Sequence, residues 1–264
     1  MSMQTKVGTP IKSLVGSSLL ILTLSLLLSA IFQSLPQPWT HTPLQRSYSK
    51  LDKPIVSTQI LSADPMMLYL HEFVSPSEIQ HLLELGAPLF QRSLIKDGTV
   101  SPARTSESCF LPGNDSTVSL IKVRAQHFLG GLASDGLEAI QLVRYYPGQK
   151  VNLHYDWAKM PKLDRQGRKY NRLASFFVYL QDECTGGETW FPNVTVPEAA
   201  RLGHKKVKLG SEGSGISVVA NKGSGLFWVN LAEDGRGDRR TLHAGLPVVE
   251  GVKIGMNIWI KKLL

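Results

Sequence analysis

Within VNLHYDW (151–157), His154 and Asp156 stand on either side of Tyr155. In an extended strand that spacing puts an imidazole and a carboxylate on one face and the tyrosine on the other. Both groups are ligands for a divalent metal, and a strand offering them together needs a third donor from elsewhere. TLHAG (241–245) supplies it as His243, in a second strand-like run. Two imidazoles and a carboxylate on one face of a metal leave positions open, which suits an iron(II) ion that must also take a bidentate co-substrate and dioxygen. A hydrolytic zinc centre accepts the same ligands, so the set alone does not choose. Lys253 bears on that choice. The turn Gly245-Leu246-Pro247 separates it from His243, so the two runs are expected to pair as antiparallel strands. Its ammonium is then placed to hold the far carboxylate of a five-carbon diacid whose near end chelates the metal.

The elements that must bring these residues together are strand-rich. From residue 139 onward AIQLVRYY (139–146), VNLHYDW (151–157), LASFFVYL (173–180), ETWFP (188–192), ISVVA (216–220), GLFWVN (225–230), RTLHAG (240–245) and VKIGMNIWI (252–260) alternate with Gly, Pro, Asn and Asp. Short strands with such punctuation predict an all-β sandwich or a closed double sheet. Upstream, MMLYL (66–70) reads as a strand, and Ser75-Pro76-Ser77-Glu78 as a capping box with proline at the first helical position. The helix it starts carries Ile79, Leu82, Leu83 and Leu85 or Leu89 on one face; a second helix is expected from about Ser116 to Leu129, with Val118, Ile121, Ala125 and Phe128 inward. The connections 158–172 and 197–215 are long for a compact domain, which predicts mobile or functional loops.

The chain has 264 residues, a formal charge of +8 and only 2 Cys. That composition excludes collagen-like, wholly disordered and coiled-coil classes, and a four-thiolate zinc site. From Leu14 to Leu35 no charged residue occurs, and as a helix the stretch would be about 33 Å long, enough to cross a bilayer. Lys6 and Lys12 precede it and the next cation is Arg46. This asymmetry predicts a retained signal anchor with the rest of the chain luminal, favoured over a cleaved signal peptide. The expected organisation is therefore a cytoplasmic tip and anchor at 1–35, a proline-punctuated stem at 36–60 and a catalytic domain at 61–264. The expected location is the endoplasmic reticulum membrane, single-pass type II. The sequons at Asn114 and Asn193 fit a luminal glycoprotein, and Cys109 and Cys184 are able to pair there. Lys159, Lys162, Arg165, Arg168, Lys169 and Arg172 form a basic run, read first as a solvated loop and second as a docking strip for acidic partners. No motif for nucleic acid is present, and nothing in the sequence sets an oligomeric state.

Arg104-Thr105-Ser106, LVRYYPGQ (142–149), His154-Tyr155-Asp156-Trp157, VYLQD (178–182), GGETWFP (186–192), FWVN (227–230), TLHAGLPV (241–248) and GVKIGMNIWI (251–260) occur in that order. Together they resemble the prolyl 4-hydroxylase group of 2-oxoglutarate- and iron(II)-dependent dioxygenases, over about residues 61–264. The resemblance implies a mainly β fold with flanking N-terminal helices (α+β) and a double-stranded β-helix, or jelly-roll, core. It implies Fe(II) on His154, Asp156 and His243, and 2-oxoglutarate held by Lys253 and Ser175, with Tyr145 and Trp259 lining the pocket. Arg172 matches an arginine associated with the substrate peptide, and Arg104 lies in a motif associated with a loop closing over the site. O2 is the oxidant and ascorbate the reductant that rescues the iron. The implied reaction is hydroxylation of peptidyl proline at C4, with succinate and CO2 as co-products, on a proline-containing peptide or protein. At position 151 the family often has a tyrosine touching the co-substrate, and here Val151 stands; one lost hydrogen bond to a charged group costs about 1.5–3 kcal/mol. Two other readings remain: a same-fold dioxygenase acting on another residue or a small molecule, and a catalytically silent module that binds proline-rich peptides.

Overall fold

The computed structural model describes residues 57–94, 98–130, 135–195 and 205–264. The apolar stretch at 14–35, the stem up to residue 56 and part of the 197–215 connection lie outside the described residues. Strands β1 (Ser57–Ala63) and β2 (Met66–His71) precede helix α1 (Pro76–Gly86); β3 (Gln91–Arg92) and β4 (Glu107–Phe110) precede helix α2 (Ser116–Leu129). Then follow β5 (Gln141–Tyr145), β6 (Val151–His154), β7 (Lys162–Leu163), β8 (Lys169–Gln181), β9 (Cys184–Gly186) and β10 (Thr189–Phe191). The chain ends with β11 (Val207–Leu209), β12 (Ile216–Val218), β13 (Gly225–Val229), β14 (His243–Gly245), β15 (Val248–Gly251) and β16 (Lys253–Leu263). The larger sheet has the order β1-β2-β13-β8-β16-β5-β4-β3, with β7 added to β8; the smaller has β11-β12-β10-β14-β6, and β15 pairs with β9. The result is the strand-rich double sheet expected, in jelly-roll form.

Alternation along β8 and β16 divides the larger sheet into two working faces. Ala174, Phe176, Val178 and Leu180 of β8, and Ile254, Met256, Ile258 and Ile260 of β16, belong to one core with Ile79 and Leu82 of α1 and Val118, Ile121 and Ala125 of α2. Their neighbours Phe177 and Tyr179 join a second core shared with the smaller sheet through Phe191, Ile216 and Val218. Both faces of β8 are therefore buried, which is why LASFFVYL reads as a continuous apolar run rather than an alternating one. The helix face glues α1 and α2 on. The other face lines the site.

The capping box is present: Glu78 N–H donates to Ser75 Oγ (3.3 Å) and Ser75 N–H to Glu78 Oε2 (2.8 Å). Several expectations are corrected. His243 and Lys253 do not lie on paired strands: β14 pairs with β10 and β6 in the smaller sheet, while β16 pairs with β8 and β5 in the larger. The intervening β15 carries the chain from one sheet toward the other, so the lysine comes from the wall opposite the histidine. β6 ends at His154, so Asp156 lies past the strand rather than within it. The first strand begins at Ser57, inside the expected stem, because β1 completes the sheet edge by pairing with β2. The 158–172 connection is partly a hairpin arm, Lys162 pairing with Tyr170 and Leu163 with Lys169. β11 occupies part of the other long connection, and Leu89 is exposed. Cys109 and Cys184 are both free thiols.

Candidate metal centre

β6 and β14 are antiparallel neighbours with His154 opposite His243, which places the two imidazole rings 4.3 Å apart between centroids. Asp156 returns toward the same point just past β6, and its Oδ2 is 4.0 Å from His243 Nε2. One donor atom from each of His154, Asp156 and His243 lies within 4.8 Å of the others, close enough for a single ion to touch all three. The tautomers are set by the backbone. His154 Nδ1 is 2.9 Å from the Asn152 carbonyl oxygen, and His243 Nδ1 is 2.9 Å from that of Thr241. A carbonyl only accepts, so each Nδ1 carries the proton and each Nε2 keeps the lone pair a metal needs.

The protonation states suit the same task. Burial pushes His154 down to about 4, so its imidazole is neutral near pH 7. Burial opposes charge on Asp156, but His243, Arg172, His154 and the Ser175 hydroxyl outweigh it and hold the carboxyl at about 2. A neutral imidazole at His154 and a carboxylate that stays ionised at Asp156 fit an iron(II) ion.

A directed chain of buried hydrogen bonds fixes the carboxylate. Trp228 Nε1 donates to Asn230 Oδ1 (2.8 Å), Asn230 Nδ2 to Ser175 Oγ (2.8 Å), and Ser175 Oγ to Asp156 Oδ2 (2.6 Å). An indole can only donate, so the orientation of the Asn230 amide follows, and the serine proton goes to the aspartate. The Ser175 hydroxyl, matched by resemblance to the diacid site, thus engages Asp156 and Asn230. The same tryptophan stands edge-on to His243 (5.0 Å), whose other side stacks on Phe191 (5.1 Å). Asn230 and Trp228 were visible in the sequence only as FWVN, with no spacing to tie them to the metal ligands.

Arg172 approaches from β8, its Nη1 3.5 Å from Asp156 Oδ1. Glu138 grips it at two points of 2.8 Å, and its guanidinium lies 3.5 Å from the centroid of the Trp259 ring. Lys162 binds the same Glu138 at 2.8 Å. Part of the basic run is therefore pinned beside the site rather than solvated.

Lys253 is fully buried and its Nζ donates to the Gly187 carbonyl. It stands opposite Tyr145 in the β16–β5 register, amid the rings of Phe177 (5.1 Å), Tyr145 (5.5 Å) and Tyr179 (5.6 Å). No carboxylate of a described residue pairs with it. Burial pushes it down to about 8 against the weaker pull of Cys184 and Glu188. A buried ammonium with one carbonyl partner is an incomplete ion pair, and an anionic ligand completes it. Tyr179 and Thr189, whose hydroxyls meet at 3.0 Å near this lysine, were not singled out from the sequence, although VYLQD and GGETWFP contain them. One cavity of about 1320 Å³ is lined by His154, Asp156, His243 and Lys253, and also by Tyr145, Val151, Trp259, Arg172 and Arg104. Its wall holds two buried donors without acceptors, Trp259 Nε1 and Arg104 Nε.

Residues 140–261 match the 2OG-Fe(II) oxygenase superfamily model. The chain is 32% identical over 216 residues to prolyl 4-hydroxylase 1 of Arabidopsis thaliana, covering 78% of this chain and 72% of that one. It is 33% identical to probable prolyl 4-hydroxylase 4 of the same plant, covering 88% and 78%. Against the rat prolyl 4-hydroxylase subunit alpha-1 it is 32% identical over 74% of this chain but spans only 34% of that longer protein. Among solved structures, a viral collagen prolyl hydroxylase from Paramecium Bursaria Chlorella virus-1, in complex with 2OG, superposes with a TM-score of 0.52 at 28% identity, covering 74% of this chain and 95% of that one.

Proposed function

Because this chain belongs to the prolyl 4-hydroxylase family of 2-oxoglutarate- and iron(II)-dependent dioxygenases, we propose that it hydroxylates peptidyl proline at C4. The observation that carries this reading is the convergence of His154, Asp156 and His243 on one point, with Lys253 in the opposite wall of the same cavity. His154 and His243 would hold the metal through Nε2 and Asp156 through its carboxylate. When bound, iron(II) and 2-oxoglutarate supply the oxidant: one oxygen atom of O2 enters the substrate C–H bond and the other enters succinate as CO2 leaves.

The protein's own part is placement. Lys253 anchors the far carboxylate of the diacid, and the neighbouring aromatic rings keep water from competing for that ammonium. Trp228, Asn230 and Ser175 hold one oxygen of Asp156, and Arg172 steadies the other, so the carboxylate does not rotate away from the metal. Val151 contributes no hydroxyl, while Tyr145 sits opposite Lys253 and is the phenol nearest in register to the diacid. Around the mouth Leu94, Phe110, Leu153 and Met160 are exposed and line the same cavity. With the Tyr155 ring 4.5 Å from that of Trp157 and tilted by 31°, they offer the apolar, aromatic surface that a polyproline-type helix prefers.

We further place the catalytic domain in the lumen of the endoplasmic reticulum, tethered by the 14–35 stretch, with ascorbate as reductant. The exposed sequon residues Asn114 and Asn193 are accessible to glycosylation, and release of the full chain from membranes by alkaline carbonate would contradict the tether. The reaction is tested by mass spectrometry of a proline-rich peptide incubated with iron(II), 2-oxoglutarate, ascorbate and air. A 16 Da gain at proline with matching succinate is expected, and His154→Ala abolishes both. Succinate without peptide oxidation by the intact protein would point to a different substrate.

A further inference from the structure

We propose that the protein selects peptides carrying Asp or Glu beside the target proline, read by Arg104, Lys159 and Arg92 at the cavity mouth. This rests on the prolyl hydroxylase reading and adds a substrate preference to it.

The charges lining the cavity do not balance. Its lining contains the cations Arg92, Arg104, Lys159, Lys162, Arg172 and Lys253, and among the described residues Asp156 is the lone carboxylate. The inner end is self-neutralising once loaded: iron(II) and Lys253 cancel Asp156 and the doubly charged co-substrate. Glu138, just behind the wall, offsets only one of Arg172 and Lys162. Arg92, Arg104 and Lys159 have no carboxylate partner among the described residues. A cleft lined mainly by one sign of charge focuses its field on whatever enters.

Arg104 makes that excess specific. Its side chain is only partly exposed, yet Nε is buried without an acceptor, and its contact with Gln141 Oε1 is long at 3.4 Å. A guanidinium presents five N–H donors in a fork that fits a carboxylate at two points. Arg104 pairs with Val151 in an antiparallel bridge, three residues before His154, and lines the same cavity, so a carboxylate docked there belongs to a residue close to the one being oxidised. Lys159 and Arg92 are exposed on the same lining and suit acidic residues further along the peptide. The apolar residues at the mouth explain affinity for proline; they do not explain the cations.

The test compares peptides identical except for Glu-Pro-Glu against Gln-Pro-Gln, binding being measured anaerobically with iron(II) and 2-oxoglutarate present and hydroxylation measured separately in air. The expected result is about tenfold tighter binding of the Glu peptide at about 50 mM salt, an advantage that shrinks strongly by about 0.5 M. Lys159→Glu and Arg104→Gln should each reduce the Glu-to-Gln ratio, an internal comparison insensitive to the fraction of folded protein. Equal binding of the two peptides at low salt, or a ratio that both substitutions leave intact, overturns the proposal. If the Glu peptide binds tighter but neither is hydroxylated, the charge preference stands and the proline reaction falls.

Discussion

Asp156 is held by a buried relay: one of its oxygens receives the Ser175 proton at 2.6 Å at the end of a chain that begins at Trp228. Ser175→Ala removes a charge-assisted bond that orients a metal ligand; such losses lower metal affinity about 10–100-fold. The metal dissociation constant is therefore expected to rise on that scale, while 2-oxoglutarate affinity at saturating metal changes little. The reverse pattern would make Ser175 a diacid-binding residue. Lys253 gives a pH signature. Burial holds its pKa near 8, and the diacid requires the ammonium, so the 2-oxoglutarate dissociation constant should be flat below about pH 7 and rise about tenfold per unit above pH 8. Stability moves the opposite way: an unfolded lysine titrates near 10.4, so between about 8 and 10.4 the unfolded chain holds more protons and raising pH favours the folded apo protein. A calorimetric pH series reads both signs. The His154–Asp156 spacing is weak by itself, and the ligands were legible because His243 and Lys253 follow it downstream in the sequence. The relay behind them was not, because Ser, Asn and Trp are ordinary core residues until coordinates bring them together.

At the scale of elements, β8 and β16 turn side-chain alternation into a division of labour between a helix-binding face and a site-lining face. Gly255 sits on the second face, where an added Cβ would lie 2.3 Å from the Phe177 ring. Gly255→Val should overpack by about 1–3 kcal/mol and disturb the ring beside Lys253. Ile121→Ala, on α2 against the other face, should cost about 2–5 kcal/mol while leaving metal affinity unchanged. Melting temperatures paired with metal titrations check both; a loss of metal affinity in Ile121→Ala at temperatures where it is folded would deny that the two faces act separately. The helices were readable from local chemistry, since the capping box and the apolar spacing of Ile79 and Leu82 are encoded within a few residues. Pairing was not readable in that way. The GLP turn suggested a hairpin between His243 and Lys253, yet β14 and β16 find their partners in different sheets, because the partners lie far away in sequence. The error in pairing left the functional inference intact, as facing walls bring ligand and lysine into one cavity as well as adjacent strands would.

For the molecule as a whole, the described sheets bring His154, Asp156, His243 and Lys253 to one cavity whose lining carries unbalanced positive charge. The fold class and the family were legible because motif order survives where strand partners are invisible. Of the rim cations only Lys159 belonged to the basic run read from the sequence, and no sequence pattern reveals that Glu138 neutralises part of that run or that Arg92 and Arg104 join Lys159 on one cavity. The central claim is that one ferrous ion sits among His154, Asp156 and His243 with the diacid reaching Lys253. Anaerobic equilibrium binding of iron(II) and then 2-oxoglutarate to the intact protein, His243→Ala and Lys253→Ala tests it most directly. The expected result is one iron and one co-substrate per intact chain, little or no iron on His243→Ala, and normal iron but about 10–100-fold weaker 2-oxoglutarate on Lys253→Ala. Undiminished iron binding by folded His243→Ala, or undiminished 2-oxoglutarate binding by Lys253→Ala, would contradict it.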